Sequence, residues 1–245
     1  MAAVATTIDP PVLRARPRAS PKCSVNALSF GFSLPPTAAN RPLPPAAVRR
    51  HNPTVNDKFA AAIRRFDEEN ARDPHPEDGQ PRELLYARRL TDWVLKLRPD
   101  AGEALRLAAR CQHICRWQSP RESYPMTRPG YLKWRADLKK FHAEKSGAIL
   151  REVGYDDGTV RRVQDLNLKK DFPADAECRV LEDALCLVFL EFQFAALAAK
   201  SDDAKMINAL RKSWEKMTEA ARAEALKLSF GAREKSLIER ALHPG

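Results

Sequence analysis

CQHICRWQSPRESYPMTRPGYLKWRADLKKFHAE, residues 111–144, decides how this chain is read. Its two ends carry helical spacing, but Pro120, Pro125, Pro129 and Gly130 forbid a continuous helix across the middle. The stretch therefore reads as helix, ordered loop, helix. Arg116, Arg121, Arg128 and Arg135 alternate with Trp117, Tyr124, Tyr131 and Trp134, and His113 and His142 flank the whole. A connection of roughly a dozen residues is long for a helical domain, and such loops are often binding loops or lids. The same residues also suit a proline-stiffened connector whose rings seal the core.

Outward from this stretch, the chain of 245 residues has only 9 glycines and no run of alternating β-branched residues, which favours an all-α fold. One helical bundle of about eight or nine helices is expected over residues 53–245. The formal charge of +10 resembles a nucleic-acid signal until it is divided along the sequence. Residues 1–50 hold seven Lys/Arg and one acid, leaving 35 basic against 31 acidic side chains in the remainder. A body so nearly balanced does not advertise a nucleic-acid surface. Residues 1–52, rich in Ala, Ser, Pro and Arg and poor in acids, read as a disordered tail with the character of an organellar transit peptide, plastid favoured over mitochondrion. The most apolar run, Ala184 to Leu190, is far below the ~20 residues needed to span a membrane. Cys111, Cys115, Cys178 and Cys186 sit at helical spacings that suit buried thiols. Cys111, His113 and Cys115 lack the second Cys/His pair of a zinc knuckle.

In chain order, a helix capped by Thr54 should run to about Asn70, and a second should open at Pro81, with Leu85, Trp93, Val94 and Leu97 inward, and stop at Arg98-Pro99. A third, Ala101 to Trp117, aligns His113 with Leu105 and Ala109. After the loop, Tyr131, Trp134, Leu138, Phe141, Ala148 and Ile149 mark the buried stripe of a fourth, closed by Gly154. A fifth covers about Asp157–Leu168. A long, almost wholly apolar one covers Ala174–Lys200, with Glu182 and Asp183 at the entrance to its apolar part. Three more lie near Asp203–Met217, Thr218–Leu228 and Ala232–Leu242. A carboxylate carried into apolar surroundings needs a cation, a metal or several donors. His113, His142 and Asp183 each need a partner that their own helix cannot supply, and mutual approach in one polar pocket would satisfy all three.

Devices of common chemistries are missing: no Gly-x-Gly-x-x-Gly, no phosphate loop ending in Gly-Lys-Ser/Thr, no Gly-x-Ser-x-Gly and no His-Glu-x-x-His. YARRLTDWVLKLRPDAGEALRLAARCQHICRW, FHAEKSGAILREVGYDDGTV and RVLEDALCLVFLE together resemble the HD superfamily of helical metal-dependent phosphohydrolases. In that resemblance His113, His142 and Asp183 take ligand positions, while Tyr86 and Ile114 stand where a further His and Asp would be. QHICRW, SPRESYPMTRPGYLKWR, FHAEK and LEDALCLVFLE resemble, more closely, domain-of-unknown-function family 4202 over about residues 54–243. Members of that family carry the label glutamyl-tRNA synthetase-like, yet His-x-Gly-His and Lys-Met-Ser-Lys-Ser elements are absent from this sequence. Two functional readings follow. In the first, the chain is a divalent-metal hydrolase with His113, His142 and Asp183 as ligands and Glu144 or Glu182 as general base. Arg116, Arg121, Tyr124, Arg128, Tyr131 and Trp134 would then hold a small phosphorylated or anionic substrate. In the second, the same Arg- and aromatic-lined pocket binds a nucleotide or acidic metabolite without catalysis.

Overall fold

A computed structural model describes residues 55–243, with side chains from residue 57 onward. The expectations for the tail, residues 1–52, and for Thr54 as a cap lie outside the described residues.

The fold is all-α. Helix α1 (Val55–Asn70) is followed by a hairpin of two strands, β1 (Pro76–Glu77) and β2 (Gln80–Pro81), paired antiparallel with Glu77 opposite Gln80. What the sequence offers as a helix breaker, Asp78-Gly79, is a two-residue turn with φ of 50° and 73°, the left-handed geometry that Asp-Gly favours in tight hairpins. Asp73 ties this hairpin to the next helix, α2 (Arg82–Leu97), because its Oδ2 accepts the Glu83 amide at 3.0 Å. Glu83, Leu84, Tyr86, Ala87, Leu90, Trp93 and Val94 form the buried face of α2, so Leu84 and Leu90 fill the place expected of Leu85.

The third helix, α3 (Glu103–Cys111), is shorter than the spacing suggests. Cys115 turns into the left-handed region, φ 52°, where Asn70 Oδ1 accepts its amide at 3.1 Å. A contact from α1 thus overrides the periodicity, and short 3-10 turns at Arg116–Gln118 and Arg121–Ser123 carry the loop. The fourth helix, α4 (Arg128–Val153), begins earlier than expected: Thr127 caps it and Pro129 lies in its first turn, where a missing amide costs nothing. Trp134, Leu138 and Ile149 face inward as expected and His142 is buried beside them, whereas Tyr131 and Ala148 are exposed. Gly154 closes α4 at φ 94°.

Helix α5 (Asp157–Leu168), capped by Asp156, matches its expected span, and Lys169 ends it in the left-handed region at φ 58°. The long apolar segment is not one regular helix. It runs as α6 (Ala176–Val188), a π-helical turn over Phe189–Gln193, and α7 (Phe194–Ala198). Helices α8 (Asp203–Lys216), α9 (Glu219–Ala225) and α10 (Ala232–Leu242) complete the chain. Within the bundle α4 pairs with α5, α2 with α3 and α6, and α8 with α10. Leu90, Leu105, Leu107, Ile114, Leu150, Leu166, Leu187 and Phe194 are among its fully buried side chains. Among the described residues no helix is long and apolar enough to cross a membrane.

Gly130 is where the loop presses onto α4, since a Cβ there would stand 2.1 Å from the Pro125 carbonyl oxygen. Gly130→Ala is expected to force the loop off the helix and cost about 1–3 kcal/mol in urea denaturation, as overpacking against rigid backbone does.

Candidate functional site

A cavity of about 770 Å³ opens between α2, the loop after α3, α4, the end of α5, the π-helical turn and the end of α8. Its centre is a stack of rings. Tyr86 of α2 lies 4.1 Å from His113, nearly parallel, and His113 lies 5.8 Å from His142 of α4. Of the three residues expected to converge, the two histidines do. His142 Nδ1 lies 2.8 Å from the Ile114 carbonyl oxygen, which can only accept, so the proton sits on Nδ1 and Nε2 is left as an acceptor. Burial pushes His142 down to about 4, with Arg116 and Arg135 adding to the effect against the Ile114 bond. His113 is lowered well below its usual range by burial and by the neighbouring charge of Arg116. Both imidazoles are therefore neutral near pH 7.

Asp183 is elsewhere. It does not line the cavity; its Oδ1 accepts the Thr218 amide at 2.9 Å and its Oδ2 accepts the Thr218 hydroxyl at 2.6 Å. Thr218 in turn caps α9, so Asp183 holds a cap rather than a ligand. The preceding residue, Glu182, faces the cavity instead, paired with Lys169 from the end of α5 and with Lys216 from the end of α8 at 3.2 Å. Burial alone would raise the Glu182 carboxyl, but these two ammonium groups outweigh it and hold it below the ordinary value.

The other residues singled out from sequence divide as cleanly. Arg116, Arg121 and Trp134 line the cavity; Glu144, Tyr124, Arg128 and Tyr131 do not. Glu144 and Arg128 are exposed. Tyr124 donates its hydroxyl to Asp137 at 3.2 Å, and Tyr131 packs against Trp134. Arg121 is mainly a staple of the loop, donating to the carbonyls of Tyr124 at 3.1 Å and Pro125 at 2.8 Å.

Sequence reasoning missed Glu83, Arg135, Lys139, Lys169 and Lys216, all of which line the cavity. Glu83 looked like an ordinary first-turn acid, and nothing local distinguishes the lysines from solvated ones. Glu83 is buried, and burial raises its carboxyl to about 7 despite Arg116, whose Nε lies 4.0 Å away. Lys139 is lowered by burial and by the charges of Lys169 and Arg135. Arg and Lys outnumber Asp and Glu around the cavity, and Arg135 and Lys139 have no carboxylate partner among the described residues.

The three residues expected as metal ligands do not come together. His113 and His142 stand close, but Asp183 is turned to α9, and the charges of Arg116 and Arg135 act on His142. Among the described residues no group of three His, Cys, Asp or Glu side chains could hold a metal ion. A site with surplus cations and neutral histidines suits an anion.

Residues 60–238 match the family model described as Domain of unknown function (DUF4202). The chain belongs to this family. Every cavity-lining side chain named above falls within the matched span, so the site is part of the family's domain. No curated protein and no solved structure matches the chain.

Asp183→Ala is expected to lower stability by about 2 kcal/mol, through the Thr218 amide and hydroxyl left unpaired at the start of α9, in urea denaturation. A ligand-binding role alone would leave the unliganded protein's stability unmoved.

Proposed function

We propose that this member of the DUF4202 family is a binding protein for a small anionic metabolite, held in the central cavity without a metal. One observation carries the reading: Arg135 stands near Arg116 and Lys139, burial and the charges of Lys169 and Arg135 depress Lys139 against the weaker pull of Glu182, and neither Arg135 nor Lys139 has an ion-pair partner among the described residues. Placing like charges together costs free energy unless an anion completes the arrangement. Guanidinium and ammonium groups on a walled cavity are the means by which proteins hold phosphate or carboxylate oxygens. The cavity, about 770 Å³, is of the size usual for small-molecule sites. The metal-hydrolase reading from the HD resemblance, with His113, His142 and Asp183 as ligands, loses support because Asp183 spends both oxygens on Thr218.

Calorimetric titration with inorganic phosphate, in the presence of a chelator, tests this. The wild type should bind, and Arg135→Ala combined with Lys139→Ala should weaken binding by about tenfold or more. Because Arg135 is exposed, Lys139 only half-buried and neither ion-paired among the described residues, the double variant should keep its stability to within about 0.5 kcal/mol per site. Binding that requires an added divalent ion would restore the metal reading.

Glu83 makes the affinity depend on pH. Its carboxyl, raised to about 7, is neutral below that value and negative above it, while His113 and His142 are already neutral there. Ionisation thus adds one negative charge beside the anion. Affinity for sulfate, whose own charge is constant, should fall by about fivefold between pH 6 and 8.5, and Glu83→Gln should flatten that profile.

A further inference from the structure

Resting on the reading of the cavity as an anion site, the geometry points to a ligand whose anionic group is carried on a hydroxyl-rich body, a sugar or polyol phosphate. Three acceptors around the cavity have no donor among the described residues: Glu83 Oε2, Gln112 Oε1 and His142 Nε2. These residues are 5%, 6% and 4% exposed, so the missing partners have to come from what fills the cavity. Each buried acceptor left unpaired costs about 1–3 kcal/mol. Three such atoms, contributed by α2, the turn after α3 and α4, border one cavity.

Nearby donors do not reach them. His113 Nδ1 is 3.7 Å from Glu83 Oε2, too far for a hydrogen bond, and Nδ1 of His142 is committed to Ile114. A cationic donor arriving with the ligand would be repelled by Arg116, Arg135 and Lys139. Neutral hydroxyls are the donors that remain, and a compact polyol with one phosphate presents them beside the charge that the cationic residues take.

A nucleotide fits less well, because most of the rings that could stack on a base are engaged, Trp117 being the lining ring left for one. His113 is already stacked with Tyr86, and His142 follows at 5.8 Å. Trp134 lies under Arg116 at 5.0 Å, and Phe192 lies under Arg89 at 4.1 Å. Cation–π contacts of this kind occupy the face that a base would use.

Calorimetric titration of the full chain with ribose 5-phosphate, propyl phosphate, inorganic phosphate and adenosine 5′-monophosphate tests the proposal. Ribose 5-phosphate should bind about tenfold or more tightly than either propyl phosphate or inorganic phosphate. In Gln112→Leu, which removes one unpaired acceptor, the ratio of ribose 5-phosphate to propyl phosphate affinity should shrink. Should that variant not fold, the wild-type series still decides. Equal affinity for ribose 5-phosphate and propyl phosphate overturns the hydroxyl inference while leaving the anion site standing. Tighter binding of adenosine 5′-monophosphate than of ribose 5-phosphate overturns it in favour of base recognition. If none of the four binds, the anion site itself is wrong and this inference falls with it.

Discussion

A carboxylate buried within a helical bundle needs cations or several donors around it, and Glu182 meets that need by drawing three helices together. Lys169 reaches it from the end of α5 and Lys216 from the end of α8. Coulomb attraction is strong where water is scarce, and desolvation is costly, so the arrangement is stable only with both partners present. The helix ends that meet at Glu182 form one wall of the cavity. Lys169 adopts the left-handed conformation, uncommon for a residue with a Cβ, which ends α5 beside that carboxylate. The opposite wall depends on His142, whose bond to the Ile114 carbonyl joins α4 to the turn after α3 and fixes which nitrogen faces away from that contact.

Much of the fold was legible. Helix α5 was read over Asp157–Leu168 after the Gly154 cap, and α10 from its apolar spacing, because capping and periodicity are local. Where α3 ends was not legible, since Asn70, 45 positions earlier, captures the amide of Cys115. Nor was the start of α4: Pro129 was read as a breaker, but in a first turn proline is tolerated.

The site was legible only in part, for a geometrical reason. Glu182 and Asp183 are successive on a helix and therefore point about 100° apart. Sequence marked both as acids entering apolar surroundings, yet only tertiary packing decides that Glu182 meets lysines and Asp183 meets the Thr218 cap. The pairing of His113 with His142 was visible as a need for partners. Lys139 was invisible because its significance lies in having no ion-pair partner, and an absence across space leaves no trace in spacing.

The π-helical turn at Phe189–Gln193 sets the rotational phase of this wall. A regular helix advances ~100° per residue, and a wider turn accommodates one residue more before the pattern resumes. Phe194 and Ala198 downstream still return to the core, while Phe192 and Gln193 border the cavity and Glu191 accepts the Trp93 indole N–H at 2.7 Å. The extra residue therefore acts as a local phase shifter, by which side chains facing the cavity can be exchanged without re-registering the bundle on either side.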